Sequence, residues 1–391
     1  MDYFNAALRS KGDMPLGPSG SGQFTAQGYQ ANLDDWIKTS DGGSIGVAWT
    51  LQFDSTGKIA SIEVIPKAAA AEETWAGTAQ AFVNEILVSV LSSKKTLYFK
   101  RRHFLAIVGS NLSGEYWLPG YRFAPQFVDD DSHLINSERY LVIDMEVNAV
   151  DSMHADELAD ERAGLAAAHL SFITDVGLSK PIHEQRWFVT HENGEIKQHR
   201  ESTQHIDLAI PSRMPSKNEL CKCVPFSGSV FDHEKYANSP FSCPSETRQI
   251  LRGLENAQPN VKSAFNKCAL LYQLALTIGR YHPTVRISYE YAAVNAIAQE
   301  LGSNYSGFSN FVRKNCPGEN VDSLLEYIHS RIRSAHWHGG EFALGETNHR
   351  RDFLTDPEYH VRFNISRAAH RIIRTALFNW VMREVAGPSN A

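Results

Sequence analysis

From Thr247 onward, apolar residues recur every three to four positions almost without a break. Before Pro240 they alternate in short runs. That change of period divides the chain. Phe265, Cys268, Tyr272 and Ala275 mark a helix over roughly 261–279, and Val285, Tyr289, Ala292 and Ala296 a second over 284–301. Pro283 sits near the first turn of that second helix and Gly302 follows its last periodic residue, as helix ends favour. A shorter helix over 307–314 comes next. Leu324, Leu325, Ile328 and Ile332 then predict an amphipathic helix over 321–338, closed by Gly339-Gly340. Val361, Ile365, Ala369, Ile372 and Ala376 face inward from a last helix over 359–385. Five helical segments on loops of moderate length predict a helical bundle over residues 245–391.

Residues 1–240 read as a mixed α+β region of one or two lobes. Strands are expected over 44–53 and 59–65, with Asp54-Ser55-Thr56-Gly57 as the hairpin link. Further strands are expected over 96–99, 104–108 and 140–150, the last with Leu141, Ile143, Met145 and Val147 on one face. Asn193-Gly194 signals a hairpin inside 186–200. Helices are expected over 74–91 and 152–171, and the Gly/Pro/Ser-rich stretch 15–22 reads as linker.

The composition is that of a soluble globular protein: 42% hydrophobic and 21% charged over 391 residues. Charge is split. Through Ser245 the chain carries 21 Lys and Arg against 31 Asp and Glu, and from Glu246 on it carries 17 against 13. The net of −6 excludes a global basic field for nucleic acid, while the basic last part leaves room for a local one. Five cysteines are too few for a disulfide framework and suit a reducing compartment. Nothing in the sequence reads as a signal peptide or a membrane span, so a cytoplasmic protein with no membrane partner is expected.

Four groups of residues could carry chemistry. Cys221, Cys223, His233 and Cys243 supply four soft ligands for zinc, but a C-x-C spacing matches no common module, and plain thiols are the simpler reading. Asp144 and Glu146, with Asp129-Asp130-Asp131 upstream, could hold Mg²⁺, whereas strand alternation alone puts acids on a solvated face. Lys100-Arg101-Arg102-His103 beside Tyr98 and Phe99 form a basic, aromatic patch that could touch nucleic acid, or a solvated strand face.

The fourth group is Arg331-Ile332-Arg333-Ser334-Ala335-His336-Trp337-His338-Gly339-Gly340. Guanidinium binds phosphate through two donors and offsets charge developing on phosphorus. Histidine moves protons near neutral pH. The plainer reading is cations capping a helix C-terminus. On an ideal helix, five residues turn about 500°, which puts Arg333 and His338 on different faces. They converge only where the helix ends or frays, or where a second copy supplies the partner. Arg331 and His338 share a face.

The segment 333–340 is similar to the Arg-Ser-x-x-x-His-Gly-Gly signature of the ApeA-type branch of the HEPN superfamily, and Tyr289-Glu290-Tyr291-Ala292-Ala293-Val294 resembles that branch's preceding helix. The resemblance extends over roughly 250–385. It implies a homodimer of helical bundles and a metal-independent endoribonuclease that uses the 2′-hydroxyl as nucleophile, without cofactor, in a toxin or antiphage role. Arg333 and His338 would be catalytic, with His336 and Arg331 as extra candidates. Arg367, Arg371 and Arg374, at i, i+4 and i+7 of the last helix, are candidates for flanking phosphates or a solvated basic face. The acidic first part would sense, inhibit or recruit, and could answer a phage-derived trigger or inhibitor. The alternative is a HEPN bundle that only dimerises, with a ligand- or nucleic-acid-binding N-terminal region.

Overall fold

The computed structural model describes residues 20–25, 28–38, 44–53, 59–67, 81, 84, 88, 95–106, 112–118, 120–125, 139–180, 185–192, 195–202, 240–279, 282–302, 307–317, 321–346 and 357–387. The chain is strand-rich first and helical last. It divides into two compact units, Met1–Tyr98 with Val147–Leu158, and Phe99–Glu146 with Ala159–Ala391.

The first unit contains an antiparallel meander of β1 (Gly20–Thr25), β2 (Gly28–Lys38), β3 (Ser44–Phe53) and β4 (Ile59–Pro66). Phe53 pairs with Ile59 across the expected turn, whose residues lie outside the described ones. Val47 and Leu51 are buried on β3, as a period of two requires. Of the helix expected over 74–91, Ala81, Asn84 and Val88 are described, and all three are helical.

A five-stranded sheet has the order β6 (Tyr116–Leu118), β7 (Tyr121–Pro125), β8 (Arg139–Ala149), β5 (Thr96–Ala106) and β9 (Leu178–Ser179). The two strands expected at 96–99 and 104–108 are one, β5. Its basic centre interrupts the apolar pattern without breaking the strand, because carboxylates receive the charges. Arg101 and Arg122 both donate to Asp144, which is buried, and Arg102 donates to Asp160. Burial, reinforced by Arg101 and Arg102 and opposed by Asp144, lowers the His103 pKa to about 4. Neither a solvated acidic face at Asp144 nor a basic nucleic-acid patch at Arg101 and Arg102 survives this pairing. The hairpin of β10 (Gln185–Glu192) and β11 (Glu195–Ser202) pairs Glu192 with Glu195 across Asn193-Gly194.

The helices are α1 (Ser152–Thr174), α2 (Thr247–Asn256), α3 (Pro259–Ile278), α4 (Pro283–Leu301), α5 (Phe308–Asn315), α6 (Asp322–Tyr327), α7 (Ala335–Gly339) and α8 (Pro357–Glu384). Between α6 and α7 the backbone is π-helical over Ile328–Ser334. The expected α3 face is buried in full, but α4 is rotated from expectation. Ile287, Tyr291, Val294 and Ala298 are its buried stripe, and Val285, Tyr289, Ala292 and Ala296 are only half-buried. Alanines on both sides of α4 leave the period ambiguous. Val361, expected inward on α8, is exposed.

Residues 245–391 do not close a core by themselves. Ala168, Phe172 and Ile173 of α1 belong to the same apolar cluster as Phe265, Tyr272, Trp380 and Phe378. The Phe172 ring lies 4.8 Å from that of Phe378 and meets Phe265 and Tyr272 edge-on. The boundary expected at 240–245 therefore marks a change of secondary structure and not the edge of the compact unit, which runs back into α1. Periodicity reports which elements form; which elements share a core depends on long-range packing that no local window contains.

Candidate active site

Arg333 and His338 come together within one chain. Arg333 Nη1 lies 3.4 Å from His338 Nε2, with Arg333 half-buried and His338 exposed. An ideal helix would separate them. Arg333 lies at the end of the π-helical segment and His338 near the end of the short α7, where the two long side chains reach each other past the last turn. The helix then stops at Gly340, whose φ of 68° is left-handed and suits glycine. A second copy is thus unnecessary for bringing this pair together.

The α4 helix supports the pair from beneath. The Arg333 guanidinium lies 5.6 Å from the centroid of the Tyr291 ring, a cation–π contact, and the Tyr291 hydroxyl is 3.0 Å from His329 Nδ1. Phe308 stacks on Tyr291 at 4.3 Å. After Gly340 the chain is tied to the start of α4. Thr284 donates its backbone N–H and its hydroxyl to Glu346, and Leu344 N–H donates to the Thr284 hydroxyl. A carboxylate at a helix N-terminus is favoured there by the helix dipole. His336 contacts the Glu341 carbonyl through Nδ1 and packs against Phe342, so it helps to fold the turn. Arg331 is exposed. Sequence reasoning missed His329, Thr284 and Glu346; the i, i+4 step from His329 to Arg333 was the available signal for the first.

A buried polar cluster was also missed. His370 lies 2.7 Å from Glu290 and 3.0 Å from Asp175, Arg286 pairs with Glu290, and Tyr272 donates to Asp175. Arg374, expected on a phosphate-binding face, is buried. It donates to the carbonyls of Phe172 and Ile173 and pairs with Asp175. Seven residues from Arg367 along a 28-residue helix, it faces the core. Arg371 is exposed, and Arg367 lies over the Phe363 ring. Gly279 lets α3 and α4 meet closely, since a Cβ there would fall 2.3 Å from the Arg286 Cβ.

Burial and Arg286 oppose a charged His370, but Glu290 and Asp175 outweigh them and raise its pKa. Burial likewise opposes ionisation of Asp175 and Glu290, yet their cationic neighbours keep both carboxyls below the usual range. The carboxylate contribution is present above their unfolded pKa values and is lost as pH falls through the folded ones. The His370 contribution is complete below about 6.5 and is lost as pH rises through its folded value. Melting of the native chain should therefore drop between pH 6 and 9 by more than melting of His370→Gln does. Equal drops in thermal melts would remove the imidazolium from this cluster.

Of the zinc candidates, Cys221, Cys223 and His233 lie outside the described residues, as do Asp129, Asp130 and Asp131. Cys243 is buried. Among the described residues no cluster of His, Cys, Asp and Glu is arranged to hold a metal, and no helix is long and apolar enough to cross a membrane. Comparison of the chain with known protein families, curated proteins and solved structures finds no match.

Proposed function

We propose that this chain is a metal-independent endoribonuclease of the HEPN kind, with Arg333 and His338 at its reacting centre. The observation that carries the reading is the 3.4 Å approach of an arginine and a histidine at an exposed helix end. The similarity of residues 333–340 to the ApeA-type signature supports it. His338 takes the proton of a ribose 2′-hydroxyl, and the 2′-oxygen attacks the adjacent phosphorus. Arg333 donates to the non-bridging oxygens as their charge grows. The bond from phosphorus to the 5′-oxygen breaks, and that oxygen takes a proton from a protonated imidazole. His336, or the same motif in a second copy, can supply this proton. The products are a 2′,3′-cyclic phosphate and a free 5′-hydroxyl.

The homodimer and the toxin or antiphage role implied by the resemblance belong to the same proposal, with the strand-rich first part as its sensing or recruiting region. The test is incubation of the full chain with total cellular RNA in EDTA. Cleavage with cyclic-phosphate ends is expected. Cleavage that requires Mg²⁺ and leaves 3′-hydroxyl ends would overturn the reading.

A further inference from the structure

Beside the segment that carries Arg333 and His338 runs a partly exposed row of aromatic rings. Tyr289, Trp337, His336, Phe342 and His282 follow one another with centroid separations of 6.0, 5.8, 5.2 and 6.4 Å. Successive rings are tilted by 49 to 67° and so do not stack on each other. Two of the largest stand in solvent, Trp337 at 51% and Phe342 at 37% exposed. Two such rings within six residues leave apolar area in water that a soluble surface ordinarily covers.

The nearby stretch of chain is rich in basic residue types. Between His329 and Phe342 the chain has two arginines and three histidines against a single carboxylate, Glu341. Aromatic faces beside the arginines Arg331 and Arg333 suit single-stranded nucleic acid, whose bases offer π-faces and whose backbone is anionic. A-form duplex keeps its bases stacked inside and cannot use such rings. The ring row is also held in place. Tyr289 belongs to α4, and His336 anchors the turn through the Glu341 carbonyl.

The geometry points to a base-stacking subsite in which Trp337 and Phe342 receive the unpaired nucleobases flanking the phosphate held by Arg333. This substrate class, single-stranded RNA, rests on the reading of Arg333 and His338 as a ribonuclease centre. Trp337 and His338 share the short α7, and a base seated on Trp337 would restrain the strand that His338 acts on. Trp337 is thus a positioning residue.

The probe is a 2′-O-methyl RNA strand, which lacks the attacking hydroxyl and is bound without being cut. Binding to the full chain is measured at one fixed salt concentration. Trp337→Ala should weaken single-strand binding about 5- to 150-fold, the range that follows from roughly 1–3 kcal/mol per stacked base. Trp337→Tyr should keep most of the affinity, and a duplex of the same sequence should bind about tenfold or more weakly. Unchanged binding by Trp337→Ala, or equal affinity for duplex and single strand, overturns the subsite. So does a shift from dimer to monomer in light scattering of Trp337→Ala, because the rings would then contact a second copy. Cleavage of unmodified RNA by His338→Ala is measured separately. If it persists at the native rate, the ribonuclease reading fails while the binding result stands.

Discussion

Replacing His338 by alanine should lower RNA cleavage about 10²–10⁴-fold, the usual contribution of a positioned general acid or base. His338 is exposed at the end of α7 and supports none of the buried core, so the variant should melt like the native chain. Divalent metal should not restore it, since the missing function is proton transfer and not charge neutralisation. Arg333→Ala should cost a comparable factor, because a donor aimed at the developing oxyanion is worth about 10²–10³-fold. Arg333→Lys should recover only part of that loss. Lysine keeps the charge but not the planar fork, and it would sit less well over the Tyr291 ring. His336→Ala should cost less than His338→Ala, since His336 holds the turn and the same motif in a second copy can supply the leaving-group proton. Initial rates in EDTA, with product ends identified, check all four variants. Full activity in His338→Ala would remove the site from this helix.

Most of the elements and one side of the site were legible in the sequence. The α3 face of Phe265, Cys268, Tyr272 and Ala275 is buried as its spacing requires, and the hairpins at 53–59 and 192–195 fall on their turn residues. The Arg333–His338 pair was legible as residue types but not as geometry. Regular helical periodicity separates the two, and the meeting of two long side chains at a helix end leaves no mark in their spacing. The α4 rotation was hidden because its small residues satisfy more than one register. Polar positions misled in a different way. Asp144 on an alternating strand reads as solvent-facing until the chain brings Arg101 and Arg122 onto it from positions 43 and 22 residues away. Arg374 reads as a surface cation until Asp175 and two carbonyls of the α1 end arrive from about 200 residues upstream. Pairings of that range are written in tertiary structure alone.

A fragment beginning at Ser245 should therefore fail to hold the native helical core, although it contains every residue of the expected bundle. It lacks Phe172, which is wholly buried among Phe265, Tyr272 and Phe378, and removing such a ring costs about 3–5 kcal/mol. Arg374 would lose Asp175 and both α1 carbonyls, which hold its guanidinium in the core. Breaking a buried pair in this way costs about another 3–5 kcal/mol. Together these approach or exceed the roughly 5–15 kcal/mol that a domain has in total. The fragment should keep much of its far-ultraviolet helical signal but lose near-ultraviolet ellipticity and a cooperative melt, as a collapsed state without fixed packing does. A chain starting at Thr96 retains α1, Asp175 and the five-stranded sheet, and should melt cooperatively. If the Ser245 fragment melts as sharply and at as high a temperature as the longer one, α1 is an accessory to the bundle and not part of its core.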